Sequence, residues 1–487
     1  MHNTKSKMTS YRWVICGMLF FATTVNYLDR QVLSLTWKDF IAPEFHWTND
    51  DYGNITGIFS LVYAIAMLFA GRFIDKVDTK KGYLWAIGIW SIGACIHAFC
   101  GIATSGITTG NWFVDFEGAK EAIATVSNVG LVVSVSVTLF IFARIVLAIG
   151  EAGNFPAAIK ATAEYFPKKD RAFSTSIFNA GSTVGALLAP LTIPVIAAKF
   201  GWEMAFIIIG ALGFIWMGVW IFVYKKPEEN PRVNKEELAY IQQDKDEEDT
   251  SEEENKTTKK EKSELSLLEC FKFKQTWSYV IGKFMTDGVW WFYLFWTPAY
   301  LSSVYGMKTS DLESQIAIFV LYAITLLAIV GGWLPTFFVD KKGMEPYSGR
   351  MKAMLIFAFF PLLALFAQPL GHISYWFPVV IIGIAGAAHQ AWSANIFSTV
   401  SDMFPKSAVA TVTGIGGMAG GVGSFLINKG SGKLFDYTEM SGMKFMGFEG
   451  IESGYFIIFS ICAVAYLIGW VIMKFLVPKN MPIRIQK

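Results

Sequence analysis

The chain has 487 residues, of which 53% are hydrophobic and only 16% charged. That balance points to a protein that crosses a membrane many times rather than to a large soluble core. A net charge of +2, with the basic residues in short scattered clusters, gives no patch for nucleic acid, and the five cysteines (16, 95, 100, 270 and 462) contain no C-x-x-C pair, so neither a disulfide framework, a zinc site nor another cofactor is indicated.

The polar N-terminus carries Lys5 and Lys7, and the first apolar run holds Asp29 and Arg30 with no cleavage signal after it, so this run reads as a spanning helix rather than a removed leader. Apolar runs of about 20 residues predict about twelve spanning helices. Their expected limits are 13–35, 55–73, 83–102, 135–166, 172–198 and 202–224, then 277–304, 317–338, 353–370, 376–403, 408–426 and 455–476. Between the third and fourth lies a longer loop, 104–129, amphipathic in places.

The loops alternate in charge. One set carries Arg72, Lys76, Lys80 and Lys81, then Lys168, Lys169 and Arg171, then Lys341, Lys342, Arg350 and Lys352; the other carries Asp39, Glu44, Asp50 and Asp51, then Asp115, Glu117 and Glu121, then Asp436 and Glu439. The positive set is expected to be cytoplasmic, with both termini on that side. Residues 225–270 lose the apolar character and include an acidic run, 244–254, followed by Lys256, Lys259, Lys260 and Lys262. This reads as a charged tether between an N-terminal six-helix bundle, 1–224, and a C-terminal one, 271–487. The expected fold class is therefore an all-α polytopic membrane protein with two pseudo-symmetric bundles.

A repeat supports the division. Tyr165-Phe166-Pro167-Lys168 returns as Met403-Phe404-Pro405-Lys406, each time before a helix of small residues: Gly181 and Gly185 in the first, Gly414, Gly416, Gly417, Gly420, Gly421 and Gly423 in the second. Such residues let helix backbones approach closely. Fifteen positions before the two phenylalanines stand Glu151 and His389, which places an ionisable residue at matching depth in each half. Arg144 lies seven residues before Glu151, close to two helical turns, so the two share a face roughly 10 Å apart along the axis. Charges at membrane depth mark the paths of ions and substrates.

These residues resemble the major facilitator superfamily, and within it the anion:cation symporter branch. Gly71-Arg72-Phe73-Ile74-Asp75-Lys76 with Lys80 and Lys81 looks like a degenerate copy of the superfamily's signature between helices two and three, echoed by Asp340-Lys341-Lys342-Gly343. Asn26-Tyr27-Leu28-Asp29-Arg30 is similar to the branch's motif on helix one, and Arg144 with Glu151 through Pro156 to its motif on helix four. Lys283-Phe284-Met285-Thr286-Asp287, leading into Trp290-Trp291-Phe292-Tyr293, and the run from Ala388 to Asn395 look like helices seven and ten of bacterial hexuronate transporters. Departures are the long loop before helix four, the longer linker and the spacing at Asp78.

A sugar acid offers one carboxylate and several hydroxyls. Arginine suits the carboxylate because its planar fork donates two charge-assisted hydrogen bonds, and proton coupling needs a carboxyl group that gains and loses a proton near ambient pH. The resemblance implies Arg30 for the substrate carboxylate and Asp29 for proton coupling; being adjacent, their side chains diverge by about 100°. Glu151 is expected to be the second protonation site, and Arg144 to tune it. Candidate substrate contacts are Tyr27, Tyr63, Asn179 and Ser182 in the first half and Trp291, Tyr293, His389, Gln390, Trp392, Ser393 and Asn395 in the second. Gly71, Asp75, Lys80 and Lys81 are expected to gate the cytoplasmic end, whereas Lys160 and Asp402 are expected to reach toward water. Together these give a monomeric, proton-coupled importer of galacturonate or glucuronate in a bacterial cytoplasmic membrane. The alternatives are a symporter of an aldonate, an aldarate or another small organic anion, and a transporter-like sugar-acid sensor. No nucleophile and base constellation suggests an enzyme.

Overall fold

The computed structural model describes residues 8–243, 267–404 and 406–483. Apart from a short hairpin pairing Lys444–Phe445 with Phe448–Glu449, regular structure among these residues is helical. Twelve long spans follow one another: α1 (Tyr11–Thr36), α2 (Asn49–Val77), α3 (Thr79–Thr109), α4 (Val129–Glu151, continued as Asn154–Tyr165), α5 (Lys168–Phe200), α6 (Trp202–Val223), α7 (Lys274–Tyr305), α8 (Leu312–Ile324, continued as Val330–Lys342), α9 (Pro346–Phe359, continued to Ala367–Gly371), α10 (Trp376–Met403), α11 (Lys406–Ser441) and α12 (Ile451–Leu476). Among the described residues nine helices are long and apolar enough to cross a membrane. The other three spans, α1, α7 and α11, are as long but carry Asp29 and Arg30, Lys283 and Asp287, and a run of glycines. A membrane tolerates such helices where their polar faces meet protein or water.

Several helices run past their expected ends because hydropathy does not see a polar first or last turn. α2 begins six residues early, at Asn49, on a capping box in which Thr48 and Asp51 satisfy each other's backbone N–H. α3 continues to Thr109, so 104–109 is helix and not loop; the remaining connection holds a short helix, Phe116–Ala124, capped by Asp115. α11 reaches Ser441, fifteen residues past 426, with Asn428, Ser431 and Thr438 buried along the extension.

Close packing rests on glycine. A Cβ on Gly150 of α4 would lie 2.3 Å from the Trp90 nitrogen of α3, and one on Gly185 of α5 would lie 2.5 Å from the Thr24 carbonyl of α1. α5 also touches α8, and α11 packs against both α7 and α2, so the two helices that follow the repeated marks each bridge to the other group of six.

Polar contacts between α1–α6 and α7–α12 gather at the end of the bundle remote from the termini. Asp39 accepts from the Ser302 hydroxyl and from the Thr309 amide and hydroxyl, while Asp436 accepts from the amides of Asn49 and Asp50 and so caps α2 from the opposite half. Lys429 donates to Asn54, and the Tyr52 hydroxyl to the Phe295 carbonyl. Near the termini, Lys160 donates to the Ile74 carbonyl and Asp402 pairs with Arg350 at 2.8 Å, so neither simply reaches toward water as expected.

The start of the linker is folded onto this end, where helix Lys235–Ile241 presents Glu237 to the N-terminus of α1. Burial works against the Glu237 charge, yet hydrogen bonds from the Thr9 hydroxyl, the Arg12 and Tyr11 amides and the Arg12 guanidinium outweigh it and hold its carboxyl below its ordinary range. The acidic run and the lysines after it, 244–262, lie outside the described residues.

Two outcomes are expected. Glu237→Gln lowers the melting temperature of the purified protein. Because the folded group holds its proton less tightly than the unfolded one, the deficit is full above the ordinary glutamate range and vanishes as pH falls through the folded value; a deficit that grew in acid would contradict this. Asp436→Ala removes a cap worth about 1 kcal/mol, so the state open at the remote end rises roughly fivefold in population, read as longer distances between spin labels at the exposed Trp112 and Met446.

Candidate functional site

The polar centre of the first half lies where α1 meets α4. The Arg30 guanidinium donates to Oε2 of Glu151 through Nε at 2.9 Å and Nη2 at 2.6 Å, and both side chains are almost wholly buried. Glu151 ends the first segment of α4, next to the tight contact at Gly150 that draws this helix onto α3. Tyr27, Tyr63 and Phe59 surround the guanidinium at 5.1, 4.7 and 5.9 Å, and the fourth ring, Trp291 at 5.0 Å, arrives from α7. Trp291 also meets Phe59 and Tyr63 edge-on, so the cation sits in an aromatic box built by both halves.

Behind the box the cluster is short of partners. Oε1 of Glu151, both carboxyl oxygens of Asp29, and Nε and Nη1 of Arg144 are buried without a hydrogen bond, as are the side-chain amides of Asn26 and Gln31. Arg144 lies 5.2 Å from the Phe59 ring and does not pair with Glu151; the acid on α4 is held by the arginine of α1, although α4 carries its own. Asp29 and Arg30 diverge, as adjacent helical residues must, and only Arg30 enters the box.

The other expected contacts divide. On α5, Asn179 is exposed and the Ser182 hydroxyl donates to the Asn179 carbonyl at 2.7 Å. In the second half, His389 stacks on Trp290 and shares a 2.7 Å hydrogen bond with the Tyr466 hydroxyl, Trp392 packs edge-on against Tyr466, and Tyr293 is buried toward Phe459. Asn395 donates to the Gly331 carbonyl, tying α10 to the middle of α8. These four turn into their own bundle, while Gln390 and Ser393 are half-buried. Among the gating candidates, Lys80 donates to the Ile221 carbonyl near the end of α6, Lys81 is exposed, and Gly71 has open space beside it; the side chain of Asp75 lies outside the described residues.

Sequence reasoning left Phe59, Tyr466, Lys283 and Asp287 off the site. Nothing in sequence marks the two aromatics. Lys283 and Asp287 carried a signal, two opposite charges one turn apart in an apolar run, and they form a 2.7 Å ion pair.

An arginine held by a single carboxylate oxygen inside an aromatic box is suited to exchange that oxygen for another carboxylate's, because the fork accepts either. Tyrosine and tryptophan faces suit the C–H face of a sugar ring.

Comparison with known proteins places this geometry. The chain is 28% identical over 434 residues to the hexuronate transporter of Escherichia coli (strain K12), covering 88% of this chain and 89% of that one. It is 25% identical over 427 residues to the probable galactarate/D-glucarate transporter GarP of the same organism, covering 87% and 88%. Its fold is similar to that of a bacterial homolog of the human lysosomal transporter Spinster in an inward-facing and occupied conformation, with a TM-score of 0.66 at 20% identity over 96% of this chain and 97% of that one. The Major Facilitator Superfamily model matches residues 19–427; the chain belongs to that superfamily and is a membrane transporter, not an enzyme.

Proposed function

We propose that this transporter carries a hexuronate, galacturonate or glucuronate, into a bacterial cell together with a proton. The observation that carries the reading is the Arg30–Glu151 pair inside a box of rings drawn from both halves, and the similarity to a hexuronate transporter supports it. Substrate carboxylate and Glu151 are rivals for one guanidinium. Two ionised carboxylates at one arginine repel, so the anion enters when Glu151 is protonated and withdraws from the fork. A monoanion and a proton then move together as a neutral load. Asp29, buried without a hydrogen-bond donor and on the face away from the box, is a second site for that same proton on its way through, and a proton there removes the cost of an unpaired buried charge. Arg144 acts on these two acids through its charge and leaves the substrate to Arg30.

Trp291 links occupancy to movement. A sugar that packs on Tyr27, Tyr63 and Trp291 holds α7 to α1 and α2, and residues 1–224 and 271–487 rock about this point while 225–270 tethers them. The gathering of polar contacts between the halves at the end remote from the termini supports a conformation open toward the termini, a side we take as cytoplasmic. The probable galactarate/D-glucarate relative favours one alternative load, an aldarate; competition by a panel of sugar acids against labelled galacturonate separates the two.

In proteoliposomes an inward proton gradient should accelerate uptake of labelled galacturonate, and absence of uptake would sink the reading. Glu151→Gln should keep galacturonate exchange across the membrane but lose acceleration by the gradient. Arg30→Lys keeps a charge but loses the fork, which weakens galacturonate binding by about 2 kcal/mol, roughly thirtyfold in KM; an unchanged KM would remove Arg30 from the substrate.

A further inference from the structure

A second buried ion pair stands beside the box, on the opposite half. Lys283, Asp287 and Trp291 recur at every fourth residue of α7, so their side chains form one stripe. Trp291 closes the box around Arg30, and Asp287 lies one turn of about 5.4 Å toward the termini. Lys283 reaches back along the stripe and donates to Oδ2 of Asp287 at 2.7 Å, with side-chain exposures of only 5% and 15%. The ammonium also lies 4.3 Å from the centroid of Phe397 on α10. Asp287 is wedged against α11, where a Cβ on Gly420 would come within 2.2 Å of its Oδ2; glycine at this position leaves the carboxylate its place. A six-carbon acid anchored by its carboxylate at Arg30 and lying along Trp291 would extend toward this pair, one turn further along the stripe.

We propose that the Lys283–Asp287 pair reads the far end of the substrate and makes this transporter prefer sugar acids with one carboxylate over those with two. The inference rests on the sugar-acid reading above. The pair offers a donor and an acceptor with no net charge, which suits a hydroxyl: its oxygen accepts from Lys283 and its O–H donates to Asp287. A second carboxylate finds the same donor but faces the Asp287 anion. Taking Lys283 for itself leaves a buried carboxylate without its partner, a costly outcome. Asp287, then, is the element that excludes the diacid, and Lys283 alone would attract it.

The test is uptake of labelled galacturonate and labelled galactarate by proteoliposomes containing the full-length chain, with binding of each acid to the detergent-purified protein followed by tryptophan fluorescence. Wild type should favour galacturonate. Asp287→Asn keeps the shape and exposes the Lys283 charge, so the ratio of galactarate to galacturonate should rise at least tenfold, in uptake or, if turnover is lost, in binding affinity. Lys283→Met combined with Asp287→Asn should return the ratio toward wild type. Should Asp287→Asn not fold, Asp287→Ser is read by the same ratio. A ratio within twofold of wild type, with galacturonate still carried or bound, overturns the inference and leaves the sugar-acid reading standing. A wild-type protein that neither carries nor binds either acid overturns both.

Discussion

The Arg30–Glu151 pair is the interaction on which the rest of the structure depends. Two ions in a membrane interior are affordable only together, because losing one partner leaves the other charge buried, at about 3–5 kcal/mol. The two residues are 121 positions apart, so α1 and α4 must be held in fixed relation for the pair to exist. That fixing is done by helices pressed nearly backbone to backbone, α4 on α3 at Gly150 and α5 on α1 at Gly185. Close packing here serves placement of charge as much as stability.

The same logic explains why the least apolar spans stand at the centre. α1 and α7 face each other across the box and supply Arg30 and Trp291, while α11 gives up side chains to let Asp287 and the α7 backbone sit against it. Each departs from membrane composition where protein, not lipid, is its neighbour. The polar contacts between the halves concentrate at one end through Asp39 and Asp436, beside the close packing of α11 on α2. Hydrogen bonds of this kind can be exchanged for bonds to water when that end opens.

Much of the fold is legible in the amino-acid sequence. Twelve spans follow from apolar length, and the charges that matter are visible as interruptions of apolar runs. Span limits shifted at α2, α3 and α11 because a buried polar turn looks like loop to hydropathy. The central box was half legible: Tyr27, Arg30, Tyr63, Glu151 and Trp291 come together, and Phe59 joins them with no mark in sequence beyond its being apolar. His389, Trp392, Tyr293 and Asn395 carry polar or aromatic groups on spans of the right depth, but they bond within their own bundle.

The sequence by itself determined which residues had to find partners, since a charge or amide at membrane depth demands one wherever the helix lies. Only the tertiary structure decided who the partners are. Helical period tells which residues share a face but not which way the face is turned, so it set Arg144 two turns from Glu151 and named no direct partner for the acid. Packing of α1 against α4 gave Glu151 to Arg30 instead, and packing of α7 against both halves set Trp291 over that pair with Lys283 and Asp287 a turn away.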